Sequence, residues 1–188
     1  SDVFVGASIL AANFASLGED CSRVIESGAD YLHLDVMDGH FVPNLTMGSA
    51  LVKSLRSYLP EVVLDAHLMV TNPLSMVKDF ANSGVTHITF HCECNDLIEN
   101  VINECRENNV GVGLALNPST SIDKVIEWIG LIDLVLIMSV NPGFAGQAFI
   151  PEVLEKVETL NENKPSHLRL QIDGGVNSLT APSCIKSG

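Results

Sequence analysis

YLHLDVM, residues 31–37, decides the fold. Side chains alternate across a strand. His33, Asp35 and Met37 therefore share one face, and Leu32, Leu34 and Val36 the other. The split recurs in LDAHLM at 64–69, where Asp65, His67 and Met69 oppose Leu64, Ala66 and Leu68. In LQID at 170–173, Gln171 and Asp173 oppose Leu170 and Ile172. Three strands thus carry a polar set on one face, near their C-terminal ends. In an open sheet with helices on both faces, that set would be costly to bury. In a closed barrel it converges at the top of the bore, where barrel active sites sit. The pattern predicts an α/β protein of the closed (β/α) barrel class.

Outward from these strands, β-rich and helical patterns alternate. Strands are predicted at Val5–Leu10, Tyr31–Met37, Val62–Met69, His87–Glu93, Gly111–Leu116, Leu134–Val140 and Leu168–Asp173. Ser16 with Glu19 three residues on predicts a capping box, and Gly28 closes that helix. Pro73 opens and Gly84 closes another. Helical spacing also links Leu97, Ile98, Val101, Ile102 and Cys105. It links Ile122, Val125, Ile126 and Ile129, and again Ile150, Val153, Leu154, Val157 and Leu160. Strand ends recur about every 24–32 residues, the length of one βα unit. Seven units are countable, and Met37 to Val62 holds an extra loop before its helix.

The chain has 188 residues, 46% of them hydrophobic, enough for one domain with a large core. The whole span 1–188 is expected to be one barrel domain. A formal net charge of −13 with 10 Lys plus Arg argues against nucleic acid and anionic membranes as partners. No stretch reaches the roughly 20 apolar residues of a membrane span. Nothing at the start reads as a secretory signal, and Ser1 reads as a remnant of processing. Five cysteines without framework spacing fit a reducing, cytoplasmic compartment. Cys92 and Cys94 are too close for a usual zinc pair and read as free thiols.

His33, Asp35, His67 and Asp173 stand at equivalent heights on three strands. Each alone reads as a hydrogen-bonded core residue. Together, two imidazoles and two carboxylates suit one borderline divalent ion: Zn²⁺, Fe²⁺, Mn²⁺ or Co²⁺. A cation on ketone and hydroxyl oxygens stabilises the enediolate left when a neighbouring proton is removed. One carboxylate can take that proton and the other return one to the opposite face, inverting a carbon centre. No nucleotide cofactor is signalled: Gly111-Val112-Gly113 lacks the third glycine of a dinucleotide fingerprint, and no phosphate loop with Gly-Lys-Ser/Thr occurs. NPGFAGQ at 141–147 and DGGV at 173–176 follow late strands. Such glycine turns read equally as plain turns or as backbone cradles for an anion. At a barrel mouth the pair fits a phosphate grip. Met37, Met69 and Met138 occupy matching strand ends, as core filler or as walls of a site.

These motifs resemble the ribulose-phosphate 3-epimerase family, and the resemblance implies a (β/α)8 TIM barrel. The matching blocks are ASIL at 7–10, GADYLHLDVMDGHFVPNLTMG at 28–48, LDAHLMV at 64–70, ITFHCE at 88–93, GLALNPST at 113–120, MSVNPGFAGQAF at 138–149 and IDGGV at 172–176. They span almost the whole chain in family order. The resemblance implies interconversion of D-ribulose 5-phosphate and D-xylulose 5-phosphate, a step of the pentose phosphate pathway. It implies a divalent ion on His33, Asp35, His67 and Asp173, with Asp35 and Asp173 as the two acid–base groups. Ser8, His67, Met37, Met69 and Met138 would line the sugar site, and Gly143, Phe144, Ala145, Gly146, Gly174 and Gly175 would hold the phosphate. The family also suggests a homo-oligomer, a dimer or larger. His91 and Glu93 match a family pattern and read as structural; Asp38 and His40 read as shaping the loop.

Two departures stand out. Ala145 replaces a glycine frequent in the family, which a negative φ would accommodate. The chain also stops at Ser187-Gly188, where the family's eighth strand would open, so the barrel is expected to be truncated before that strand. Two other functions fit the residues: an epimerase of a hexulose 6-phosphate, and an inactive fragment or sugar-phosphate-binding relative. A decarboxylase on a similar barrel would want a lysine at a strand end, and none stands there.

Overall fold

The computed structural model describes residues 3–188; Ser1 and Asp2 lie outside the described residues. The strands are β1 (Gly6–Ser8), β2 (Tyr31–Met37), β3 (Leu64–Met69), β4 (His87–His91), β5 (Gly111–Leu116), β6 (Leu134–Met138) and β7 (Arg169–Asp173). All neighbours pair parallel, in chain order from β1 to β7. Helices α1 (Leu17–Glu26), α2 (Ser49–Tyr58), α3 (Leu74–Ser83), α4 (Ile98–Glu107), α5 (Asp123–Ile126), α6 (Leu154–Asn163) and α7 (Ala181–Ser187) each follow the strand of the same number. Among the described residues the sheet is curled into a partial barrel of seven strands. Gln171 Nε2 of β7 reaches across the bore to the Tyr31 hydroxyl (2.6 Å) and Asp65 Oδ2 (3.0 Å). Among the described residues, β1 and β7 form the two edges of the sheet.

The two faces of the strands belong to different cores. Leu32, Leu34, Val36, Leu64, Ala66, Leu68, Ile88, Phe90, Val112, Leu114, Val135 and Ile137 point outward into one apolar cluster with the helices. Full burial of side chains of this size stabilises by about 1.5–3 kcal/mol each. The inward face holds two smaller apolar clusters, one of Met37, Val42 and Met69, the other of Ala115, Leu136, Met138 and Val140. The rest of the bore is polar: His33, Asp35, Asp65, His67, Thr89 and His91 are all buried there. Gly113 of β5 leaves room on the inner wall, since a Cβ there would stand 2.6 Å from Thr89 Oγ1.

Several local expectations shift. The capping box does not form: Ser16 makes no side-chain cap. A 3₁₀ turn at Phe14–Ser16 precedes α1 instead, and Asn13 Oδ1 accepts from Ala15 N. Asp20 Oδ2 in turn accepts from Asn13 N, so the reciprocal bond comes one residue later than Glu19. Pro73 and Gly84 flank α3 as expected, with Gly84 left-handed at φ 102°. Leu97 precedes α4 and is exposed. The fourth helical pattern yields only the single turn α5; Val125 is buried, but Ile126 faces solvent. Ser187 ends α7, a helix whose sequence carries Pro182 in its first turn and no apolar period.

The loop glycines explain two close approaches. Gly174 has φ 121°, and a Cβ there would meet Val140 Cγ2 at 2.5 Å. Gly175 has φ 66°, and a Cβ would stand 2.6 Å from Phe149 N. Ala145 is not among the residues with positive φ; the one described non-glycine residue in that region is Asn109.

Candidate active site

Register sets the heights of the polar side chains. Asp35 lies opposite His67, His33 opposite Asp65, and Met138 opposite Asp173. Curling then brings β7 against β2 and β3 inside the bore. His33 Nε2 and His67 Nδ1 stand 3.2 Å apart. Asp35 Oδ1 lies 3.3 Å from the first and 3.2 Å from the second. Asp173 Oδ2 lies 3.4 Å and 3.6 Å from the same two nitrogens. All four donor atoms fall within 4.8 Å of one another. The predicted quartet is therefore a single cluster.

The cluster demands positive charge. Burial alone would raise the Asp35 and Asp173 carboxyls, yet the facing imidazoles hold both well below the usual carboxylate range. Burial alone would lower His33, yet Asp35, Asp173 and Asp65 hold it well above the ordinary histidine value. A proton or a cation must separate nitrogens this close. Donors around an ion at about 2.1 Å stand roughly 3–3.5 Å apart; four of the five separations above fall in that range, and the 3.6 Å between Asp173 Oδ2 and His67 Nδ1 lies just beyond it. Two nitrogens and two carboxylate oxygens can thus hold one divalent ion.

Three of the four residues are backed by a further partner. His33 Nδ1 lies 2.8 Å from Asp65 Oδ2. A carboxylate only accepts, so Nδ1 carries a proton, and Nε2 is left for a second proton or for an ion. His67 Nε2 lies 2.8 Å from His91 Nε2, and His91 Nδ1 lies 3.3 Å from Glu93 Oε2. Burial pushes His91 down to about 4, so its ring is neutral near pH 7. Ser8 Oγ donates to Asp35 Oδ2 (2.6 Å), which leaves Oδ1 for the cluster. Thr46 Oγ1 donates to the Asp35 carbonyl (2.5 Å) and accepts from Met37 N (3.0 Å), splinting the end of β2.

The loop half of the opening motif arranges the mouth. Asp38 Oδ1 accepts from His40 N and Phe41 N, while its Oδ2 accepts from Thr71 N after β3. Met37 and Met69 are buried beside Val42, and Met138 is buried near Val140. After β6, Gln147 Nε2 donates to the carbonyls of Asn141 (2.6 Å) and Phe144 (3.0 Å), closing the 141–147 loop. Gly143 and Gly146 have positive φ there, and Phe144 is exposed. Ser139 N donates to Asp173 O at 2.8 Å, joining this loop to the turn at Gly174–Gly175.

Sequence reasoning missed Asp65 and Gln171 as partners of the cluster, although both stand on the predicted inner face. The expected free thiols are found: Cys21 and Cys105 are buried, and Cys92, Cys94 and Cys184 half-buried. Among the described residues, no helix is long and apolar enough to cross a membrane.

Residues 4–188 match the model of the ribulose-phosphate 3 epimerase family. Ribulose-phosphate 3-epimerase of Buchnera aphidicola subsp. Schizaphis graminum is 44% identical over 176 residues, covering 92% of this chain and 77% of its own. The cytoplasmic isoform of Oryza sativa subsp. japonica is 40% identical over 188 residues, covering 98% of this chain and 82% of its own. Among solved structures, KGPDC from Streptococcus mutans superposes with a TM-score of 0.66 at 18% identity, over 94% of this chain and 80% of that one. That likeness supports the barrel fold alone.

Fold and relatives define an isomerase of the epimerase class on a parallel βα barrel. More narrowly, the chain belongs to the ribulose-phosphate 3-epimerase family.

Proposed function

We propose that this chain, as a single barrel domain, interconverts D-ribulose 5-phosphate and D-xylulose 5-phosphate with the help of one divalent ion. The observation that carries the reading is the convergence of His33 Nε2, Asp35 Oδ1, His67 Nδ1 and Asp173 Oδ2. Those four atoms would hold the ion, as Zn²⁺, Fe²⁺, Mn²⁺ or Co²⁺. When bound, the ion neutralises negative charge that develops on the substrate's oxygens.

The carboxylates do the proton work. One of Asp35 and Asp173 removes the proton from the carbon next to the ketone; the other returns a proton to the opposite face. The pair suits this because β2 and β7 approach the bore from different sides of the curled sheet. The facing imidazoles favour the ionised form of both carboxyls, so either can begin as the base, and its partner must take up a proton before it can return one. Ser8 orients Asp35 through its 2.6 Å bond and lies where a sugar hydroxyl would pass. Met37, Met69 and Met138 exclude water from the flattened intermediate. Backbone N–H groups of the Gly143–Gly146 loop and of Gly174–Gly175 would face the phosphate, needing little basic charge. The Oryza sativa relative is named a cytoplasmic isoform, which supports a cytoplasmic setting. Assembly into a dimer or larger homo-oligomer belongs to the same reading, and sedimentation tests it.

Incubation with ribulose 5-phosphate in D₂O tests the chemistry. Deuterium is expected at the inverted carbon, and chelation is expected to stop turnover until Zn²⁺, Mn²⁺ or Co²⁺ is restored. Turnover that survives complete metal stripping would remove the ion from the reading. Turnover without solvent deuterium would remove the two-acid proton transfer.

A further inference from the structure

The imidazole of His67 has two nitrogens, and only one can face the carboxylate pair with a lone pair. Nothing on β3 settles which. The deciding contact lies on β4. His67 Nε2 and His91 Nε2 are 2.8 Å apart. The ring planes differ by 20°, and the centroids are 5.0 Å apart. The centroid separation exceeds the nitrogen contact by about two ring radii, so the rings meet edge to edge. One nitrogen of the two must donate and the other accept. His91 Nδ1 in turn lies 3.3 Å from Glu93 Oε2.

Glu93 breaks the symmetry, because an ionised carboxylate has no proton to give. Burial raises its pKa and its hydrogen bonds more than offset that, leaving it at about 2. Its other oxygen is already occupied: Oε1 accepts from Asn117 N (2.6 Å) and Thr120 Oγ1 (2.9 Å). Cys92 Sγ adds a weak bond to Oε2 at 3.3 Å. Lys156 Nζ of α6 pins the loop that supplies these donors, contacting the carbonyls of Asn117, Pro118 and Thr120. The carboxylate is thus held rigidly with one acceptor aimed at His91.

We propose that Glu93 is a positioning residue which, through His91, fixes the tautomer of His67 and so presents its Nδ1 lone pair to the site. His91 donates its Nδ1–H to Glu93 in a hydrogen bond, which leaves the Nε2 of the neutral ring able only to accept. His67 must then carry its proton on Nε2. The device parallels Asp65 behind His33 but is one ring longer, and it links the site to the loop after β5. This rests on the four-residue ion site proposed above. Partners of this kind behind a ligating histidine commonly govern affinity by about 10–100-fold.

The test measures Zn²⁺ dissociation constants of the full chain by competition with a chelator, without any turnover assay. Glu93→Gln can donate to His91 and reverse the relay, so affinity is expected to fall at least tenfold. His91→Leu is expected to fall by a similar factor. His91→Gln places an amide oxygen near the old Nε2 and is expected to stay within about threefold of the parent. In the Glu93→Gln background, adding His91→Gln is expected to restore affinity, since the amide accepts from His67 whatever stands at 93. A merely structural Glu93 would give no such rescue. Nitrogen NMR of the parent provides a second measurement should a variant fail to fold. His91 is expected to carry its proton on Nδ1, and a proton on Nε2 overturns the proposal. Glu93→Gln at parental affinity, or a folded double variant without rescue, overturns it as well. A parent that binds no divalent ion at all sinks the ion site itself, while the His91 tautomer still reports on the relay.

Discussion

The same strands show opposite chemistry on their two faces. Outward, Leu34, Leu68, Phe90 and Leu114 meet helices in one continuous apolar layer. Inward, His33, Asp65, His67 and His91 form a buried polar chain whose ring nitrogens all have partners. The outer face tolerates alternatives of similar volume, because burial is non-directional. The inner face does not, because each atom's role depends on its neighbour's proton. Stability therefore resides mainly outside the bore and proton chemistry inside it.

The largest effect that would sharpen this contrast is on the inner face. Asp173→Asn and Asp35→Asn each keep size but lose the base. Turnover should fall by about 10²–10⁴-fold, while the thermal midpoint stays near the parent's. A variant that retains turnover would lose its acid–base assignment, and one that unfolds would show the inner face carrying the fold. On the outer face, Phe90→Ala removes a fully buried ring and should cost about 3–5 kcal/mol in denaturant unfolding. Its kcat per folded molecule should be unchanged. Equal damage to kcat would mean that the two faces are not separable.

This division was legible in the sequence because a strand's period of two displays both faces at once. Tyr31–Met37 and Gly111–Leu116 match their predicted bounds, since both faces are packed along their whole length. Val5–Leu10 shrinks to Gly6–Ser8 because β1 is an edge with one partner. The four-residue cluster was legible because His33, Asp35, His67 and Asp173 share the inward parity. Asp65 shares it too, but its role depends on the ring angle of His33, and no spacing encodes that. The α5 pattern misled in the other direction: Ile126 has helical spacing, yet the segment makes only one turn and leaves it exposed.

The mouth lies between the two regimes, and Gly175 tests it. Its φ of 66° and the 2.6 Å approach of a would-be Cβ to Phe149 N make Gly175→Ala strained. The expected cost is about 1–3 kcal/mol, together with a raised KM for the sugar phosphate. A KM change without change in kcat would place the turn in substrate holding, apart from the proton chemistry of the bore. An unchanged KM would remove it from the phosphate grip.

The smallest effect concerns pH and separates Glu93 from the outer-face residues. Burial would raise its carboxyl, but bonds from His91, Asn117 and Thr120 bring it from an ordinary 4.5 to about 2. Its folded pKa lies below its unfolded one, so the unfolded chain binds the proton more readily. The stability that Glu93 contributes is therefore complete above about pH 4.5 and lost as pH falls through about 2. Denaturant unfolding of the parent and of Glu93→Gln, compared at pH 6 and pH 3, isolates this term from the other acids. The parent's advantage should shrink at the lower pH, whereas Phe90→Ala should show a nearly constant deficit at both. A constant difference for Glu93→Gln would mean that its carboxylate contributes shape rather than charge to the inner wall.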